Sequence, residues 1–259
     1  MIIATFNANS IRSRLPIVLD WLGVHRPDVL CLQETKVQDA EFPHAPFTDA
    51  GYHIVFRGEK SYNGVAVASR LPPDDVSFGF DDGGPVDATR LAAVRFGSLL
   101  VVNTYVPQGR EIDNPMYPYK IDWFHRLRAW FGRHSTPGGN LVWTGDLNVA
   151  PEAMDIHNAS QQANHVCFHI DVRQAYADTL TWGFRDVFRK HHPEPGQYTF
   201  FDYRTPNAAQ RGMGWRIDHI LATAPLADRS VSASIDLAPR LLPKPSDHTF
   251  LSAEFDFTP

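Results

Sequence analysis

Cysteine is scarce in this chain: Cys31 and Cys167 are the only two among 259 residues. Cys31 lies inside the apolar run Val29-Leu30-Cys31-Leu32, where burial is its expected state. Two such thiols cannot form the disulfide framework of a small secreted protein, so a reducing cytoplasm is the expected setting. A surplus of positive charge is also lacking. The formal net charge of -5 excludes a protein that coats nucleic acid through bulk charge, yet leaves room for a local basic groove beside an acidic cluster. No hydrophobic run approaches the ~20 residues that cross a bilayer. Met1-Ile2-Ile3-Ala4-Thr5-Phe6 has no basic segment ahead of it, so no signal peptide is expected. With neither a low-complexity linker nor an internal repeat, residues 1–259 read as one domain.

What the chain does have is ordinary globular mass, 43% hydrophobic and 20% charged, enough for a sizeable core. Its apolar residues fall into short runs bounded by turn residues, the mark of buried strands. Strands are predicted at Ile2 to Phe6, Asp28 to Leu32, Tyr52 to Phe56, Val65 to Ala68, Leu91 to Phe96 and Leu99 to Val106. More follow at Asn140 to Gly145, Tyr198 to Tyr203, Ile217 to Ala222, Val231 to Leu237 and Phe250 to Phe257. Helices are expected after Ser13, where Leu15, Val18, Leu19 and Leu22 share a face, from Pro118 to Phe131, and from Asp171 to Trp182. Asp74 to Asp87 reads as a loop, as does 152 to 170. Adjacent strand pairs mixed with a few long helices point to a layered α/β fold with mixed sheets.

Several strands stop at an acid or an amide: Asn7 with Asn9, Glu34, Asp146 with Asn148, Asp218, and Asp247 with His248. In Asn140-Leu141-Val142-Trp143-Thr144-Gly145-Asp146-Leu147-Asn148, the carboxylate and amide two positions apart would point the same way from an extended chain. Carboxylates brought together would repel and raise one another's pKa unless a cation sat among them. Oxygen donors without thiolates favour a hard ion, Mg2+ or Mn2+, over zinc. A competing tract, His165-Val166-Cys167-Phe168-His169, lacks the second half of a structural zinc site.

The motifs together resemble those of the exonuclease III / AP endonuclease family of DNA repair nucleases, within the DNase I-like superfamily. The similarity runs from Phe6-Asn7-Ala8-Asn9-Ser10-Ile11-Arg12 through Cys31-Leu32-Gln33-Glu34-Thr35-Lys36, Tyr62-Asn63-Gly64-Val65-Ala66 and Asn103-Thr104-Tyr105-Val106-Pro107. It continues over Gly145-Asp146-Leu147-Asn148-Val149-Ala150-Pro151 and Tyr198-Thr199-Phe200-Phe201-Asp202-Tyr203-Arg204. It closes at Gly214-Trp215-Arg216-Ile217-Asp218-His219 and Pro245-Ser246-Asp247-His248. The resemblance implies a four-layer α/β sandwich of two packed mixed sheets. It also implies that Asn7, Glu34 and Asp247 hold Mg2+ or Mn2+, with Asp146 and Asn148 close by. Asp146 would orient or deprotonate the attacking water, and Asn148 would donate to the developing oxyanion. His248, held by Asp218, and Tyr105 would contact the scissile phosphate, with either Asp146 or the His248–Asp218 pair as general base.

The implied substrate is double-stranded DNA with abasic sites or blocked 3′ ends. Phe200, Trp215 and Ile217 would line a small apolar pocket for a sugar without its base, and Lys36 and Arg216 would contact phosphates. Arg12, Lys60, Arg90, Lys120, Arg204 and Arg211 are further cationic candidates. Where the family commonly has Asn-Gly after Tyr-Val-Pro, this chain has Gln108-Gly109, which alters the phosphate contact expected there. Residues 157 to 170 follow no family pattern, and Cys167, Phe168 or His169 would narrow the lesion pocket. Two other readings compete: a superfamily phosphodiesterase acting on a phospholipid or inositol phosphate, and a DNA-binding relative without catalysis.

Overall fold

The computed structural model describes residues 1–259. In chain order the elements are β1 (Ile2–Asn7), α1 (Ile11–His25), β2 (Val29–Gln33), α2 (His44–Asp49), β3 (His53–Arg57), β4 (Val65–Ser69), β5 (Asp75–Phe78), β6 (Leu91–Phe96) and β7 (Leu99–Tyr105). Then come α3 (Met116–His134), β8 (Asn140–Asp146), α4 (Ile170–Leu180), β9 (Phe184–Asp186), α5 (Val187–His191), β10 (Asp218–Thr223), α6 (Ala224–Ala227), β11 (Ser230–Asp236) and β12 (Phe250–Phe255). The strands form two six-stranded sheets, ordered β11-β12-β1-β2-β4-β3 and β5-β6-β7-β8-β10-β9. Each is mixed: β1–β2 and β7–β8 are parallel, joined through α1 and α3, and the other pairs are antiparallel. No helix is long and apolar enough to cross a membrane.

Side-chain alternation builds the layers. Ile3, Val29, Cys31, Val65 and Val67 of the first sheet pack against Val94, Leu99, Val101, Val142 and Ile220 of the second. The intervening positions Ala4, Leu30, Leu32, Ala66 and Ala68 face outward onto Val18, Trp21 and Leu22 of α1. On the far side, Leu100, Val102, Leu141 and Trp143 meet Trp123, Phe124, Leu127 and Phe131 of α3 with Val172 and Tyr176 of α4. The order helix, sheet, sheet, helix is the expected four-layer sandwich. Both faces of the central strands are buried, which is why they read as unbroken apolar runs.

Two expected elements differ. The predicted loop from Asp74 to Asp87 contains β5, an edge strand whose half-exposed side chains give no apolar run to detect. Tyr198 to Tyr203 forms no strand; Phe200 makes isolated bridges to Trp215 and His248 and crosses the end of the sheets instead. The short helices α2, α5 and α6 and the three-residue β9 carry too little periodicity to be read from sequence.

Arg216 is a correction. Its side chain is only 1% exposed, with Nε donating to Asp155 Oδ1 at 2.7 Å and Nη1 to Asp186 Oδ2 at 2.8 Å. Arg189 pairs with the same Asp155 carboxylate, and His219 Nε2 lies 2.8 Å from the Val149 carbonyl. A guanidinium enclosed by two carboxylates cannot reach a phosphate; Arg216 ties β10 to the loop that follows β8. Lys120 is likewise fully buried, its ammonium donating to the carbonyls of Gln108 (3.1 Å), Asn148 (2.6 Å) and Val166 (2.8 Å). It clamps three loops and is not a phosphate contact.

Removing one partner of a buried pair leaves uncompensated charge, so Arg216→Met is expected to lose about 3–5 kcal/mol in urea unfolding. Arg12→Ala, which breaks an exposed pair with Glu41, should stay within about 1 kcal/mol. Burial opposes ionisation of Asp155 and Asp186, but the Arg216 charge and hydrogen bonds prevail and hold both carboxyls below their usual range. Carboxylates with depressed folded pKa values stabilise the fold above the unfolded value, about 3.9, and lose that contribution as pH falls through the folded values. The gap between wild type and Arg216→Met should therefore narrow below about pH 4.

Candidate active site

The inward-facing series of the central strands turn polar at one end of the sandwich. Ile3 and Thr5 lead to Asn7, Val29 and Cys31 to Gln33, Val101 to Asn103, and Val142 and Thr144 to Asp146. Asp218 opens β10 directly opposite Asp146 in the antiparallel register. Hydrogen bonds replace apolar contact there and cross between the sheets. Asn7 Nδ2 donates to Asp146 Oδ2 and to Glu34 Oε1, each at 2.8 Å. Gln33 Nε2 donates to Asn103 Oδ1 at 2.7 Å, and Asn103 Nδ2 to the carbonyls of Leu32 and Ala66.

Backbone geometry aims the acids. Glu34 and Lys36 sit at φ 48° and 52°, in the left-handed region that side chains rarely adopt. Lys36 Nζ pairs with Glu34 Oε2 at 2.7 Å and bonds Asn9 Oδ1, while Asn9 Nδ2 holds Asp247 Oδ1 at 2.9 Å. Gly145, just ahead of Asp146, lies against β7 so closely that a Cβ would stand 2.0 Å from the Thr104 carbonyl oxygen. β8 ends at Asp146, and Asn148 turns to φ 50°, so its backbone N–H donates to Asp146 Oδ1 at 3.0 Å. The two residues are thus linked by a tight turn, through the Asn148 backbone, and not by the extended alternation expected. Asn148 Nδ2 also donates to the Val106 carbonyl at 3.0 Å.

His248 completes the cluster. Its Nδ1 lies 2.8 Å from Asp218 Oδ2, and its Nε2 lies 3.8 Å from Asp146 Oδ2. Burial lowers its pKa, but the charges of Asp218 and Asp146 and the bond to Asp218 prevail, so it is raised and the ring is held as imidazolium. The Asp146 carboxyl is raised chiefly by burial; His248 opposes this, while Asp218 and Glu34 add to it. Four carboxylates, Glu34, Asp146, Asp218 and Asp247, outnumber the cations near them: Lys36 and His248 pair with them, and the Lys120 ammonium acts on Asp146 from behind. This surplus of negative charge on oxygen donors fits a divalent cation. Ligand atoms of Asp146, Asp218 and His248 all lie within 4.8 Å of one another, so this buried group could bind a metal. Asp218 and His248 are already committed to each other, however, which leaves Asp146 as the group that both clusters share.

Tyr105 lies beside these acids under the Arg90 guanidinium, 4.8 Å from its ring centroid. Burial and the Glu34 and Asp146 charges raise its pKa well above the usual phenol value, so the hydroxyl keeps its proton. A cavity of about 490 Å³ opens beside the cluster, lined by Phe200, Trp215 and Ile217 together with Gln108 at its lip. Of the three residues expected to narrow it, only Cys167 lines it; Phe168 instead lies beneath Arg173, and His169 bonds Tyr117. His165 Nδ1 accepts from the Cys167 backbone, and the ligand atoms of His165, Cys167 and His169 do not gather as a group of three. His165 does line the cavity, as do His157, Asn158 and Gln162, none of them marked by any sequence motif.

Replacing Asp218 with Asn removes the charge that stabilises the His248 imidazolium. In chelator-treated protein the NMR titration midpoint of His248 should fall by about 1–3 pH units; an unchanged midpoint would show that Asp218 does not support the ring.

The Endonuclease/Exonuclease/phosphatase family profile matches residues 4–248. Exodeoxyribonuclease III of Haemophilus influenzae is 31% identical over 97% of this chain and 98% of its own length. The structure of an AP endonuclease from Archaeoglobus fulgidus superposes with a TM-score of 0.97 at 52% identity, covering 99% of this chain and 100% of that one. A 3′ phosphatase from Neisseria, bound to product DNA hairpin, gives 0.91 at 38% identity, again over 99% and 100%. By the profile match over nearly its whole length, the 31% identity to the Haemophilus influenzae enzyme and the close superposition of its two sheets, the chain belongs to the exonuclease III / AP endonuclease family within the endonuclease/exonuclease/phosphatase superfamily.

Proposed function

We propose that this protein is a DNA repair nuclease dependent on Mg2+ or Mn2+, hydrolysing the phosphodiester 5′ to an abasic site and clearing phosphate, phosphodiester-linked fragments or nucleotides from 3′ ends. One observation carries the reading: Asp146 lies between the Asn7–Glu34 bridge and the Asp218–His248 pair, beside a cavity open to substrate. Glu34, Asp247 and Asn7 would hold the ion, with Asp146 and Asn148 close by. A hard cation, when bound, neutralises phosphate oxygens and stabilises the leaving alkoxide.

The chain's own groups divide the remaining work. Asp146 orients the water and takes its proton, while His248, held through Nδ1 by Asp218 at 2.8 Å, serves as a donor to a phosphate oxygen. Asn148 has one amide hydrogen committed to Val106, and the other is available to the oxyanion. Tyr105, which keeps its hydroxyl proton, donates a hydrogen bond to the same phosphate. Phe200, Trp215 and Ile217 offer apolar surface to the sugar on the 3′ side. Gln108 lines the cavity, and Lys36, paired with Glu34 and still partly exposed, is left to divide its charge between that acid and an incoming backbone. The relatives' names, exodeoxyribonuclease III, AP endonuclease and a 3′ phosphatase with a DNA hairpin, support double-stranded DNA as the partner. We place the activity in the cytoplasm, where Cys31 and Cys167 would stay reduced.

The test uses a duplex with one abasic site, an intact duplex and a 3′-phosphate end, each with and without chelator. Chelator-sensitive cleavage of the first and third is expected; absence of cleavage on all three, with turnover of an inositol phosphate, would establish the phosphodiesterase alternative. Asp146→Asn should lower turnover by roughly 10²–10⁴-fold while duplex affinity persists, and retained turnover would mean another group activates the water.

A further inference from the structure

The cavity differs from the small apolar pocket expected for a bare sugar. At about 490 Å³ it lies within the range that accommodates a whole small-molecule ligand. Phe200, Trp215 and Ile217 supply its apolar lining, and in the segment 157–165 Asn158, Gln162 and His165 each keep a hydrogen-bonding group without a protein partner. Gln162 uses its backbone N–H and carbonyl in turns with Ala159 and His165, but its side-chain amide has no partner in the protein. Asn158 Oδ1 is shielded from solvent without a partner, while its Nδ2 reaches Gln161 at 3.4 Å. His165 Nδ1 accepts the Cys167 backbone N–H at 3.1 Å, which places the proton of the neutral ring on Nε2 as a donor. The His165 ring also lies against Trp215, with centroids 4.5 Å apart.

We propose that this wall is a nucleobase subsite: the last nucleotide of a 3′ end enters the cavity with its base attached, and Asn158, Gln162 and His165 hydrogen-bond the base edge. The inference rests on the nuclease reading above and deepens it. A nucleotide lying 3′ of the scissile phosphate presents its sugar and base on the same side as an abasic sugar. Without a base, the shielded acceptor on Asn158 would stay unpaired, and the amide of Gln162 and the donor of His165 would have no partner but water. A base edge carries adjacent donors and acceptors that match them, and its faces suit the indole of Trp215. The reaction itself is unchanged. A water oxygen bonds to phosphorus, the bond from phosphorus to the preceding 3′ oxygen breaks, that oxygen gains a proton, and a nucleoside 5′-monophosphate leaves.

Gln162→Ala and Asn158→Ala are assayed on three duplex ends, carrying an unpaired base-bearing nucleotide, an abasic sugar phosphate or a 3′-phosphate, with thermal unfolding measured alongside. Loss of one neutral hydrogen bond should lower the kcat/KM ratio of the base-bearing end to the 3′-phosphate end about three- to tenfold. The ratio of the abasic end to the 3′-phosphate end should hold. Equal loss on base-bearing and abasic ends would overturn the subsite in favour of a role toward the sugar, and an unmoved ratio in both variants would show that the wall does not touch the base. Failure of the wild type on all three ends would instead sink the nuclease reading, and the subsite with it.

Discussion

The Asn7 amide is the interaction on which the site depends. It stands at the end of β1 in one sheet and donates to Asp146 at the end of β8 in the other, while its same nitrogen reaches Glu34. Two sheets that packed only through Val, Ile and Leu could slide by fractions of an ångström at little cost. A buried amide with both hydrogens committed to carboxylates cannot, because an unsatisfied polar group away from water costs about 1–3 kcal/mol. The neighbouring Gln33–Asn103 bond and the Asp218–His248 pair repeat the device across the same seam. Sheet packing and site geometry are therefore one constraint.

Charge gives that seam its chemistry. Burial, with the nearby Asp218 and Glu34 charges, raises the Asp146 carboxyl, and the His248 charge offsets only part of that rise. Such a site is poised to accept a cation and an anionic substrate together. The chain also holds Asn9, Glu34, Lys36, Asn63 and Asn148 at positive φ around it. Conformations of this kind cost about 1–3 kcal/mol each and persist where surrounding structure over-determines them. Here the layers of aromatic packing, such as Phe6 on Phe250 and Phe250 on Trp21, supply that rigidity.

Much of the fold was legible because both faces of the central strands are buried, so their apolar runs stand out. β5 and β9 were not, being edge strands without such runs. Asp146, Asn148, Asp218 and His248 could be singled out because each interrupts an apolar run at a turn. Gln162 and Asn158 could not, since amides in a polar loop carry no periodic signal and matter only through what faces them. Arg216 shows the opposite error: its place in a matched motif suggested a phosphate contact, yet two carboxylates distant in sequence enclose it.

By itself the sequence determined the strands, their alternation and the chemical type of each strand end, because side-chain period and apolarity are local properties. Only the tertiary structure decided that Asn7 meets Asp146 across 139 residues, and that Arg216 and Lys120 face inward. Whether a charge is a surface contact or an internal clamp depends on the dielectric and partners around it, and those are set by packing between segments that no local pattern connects.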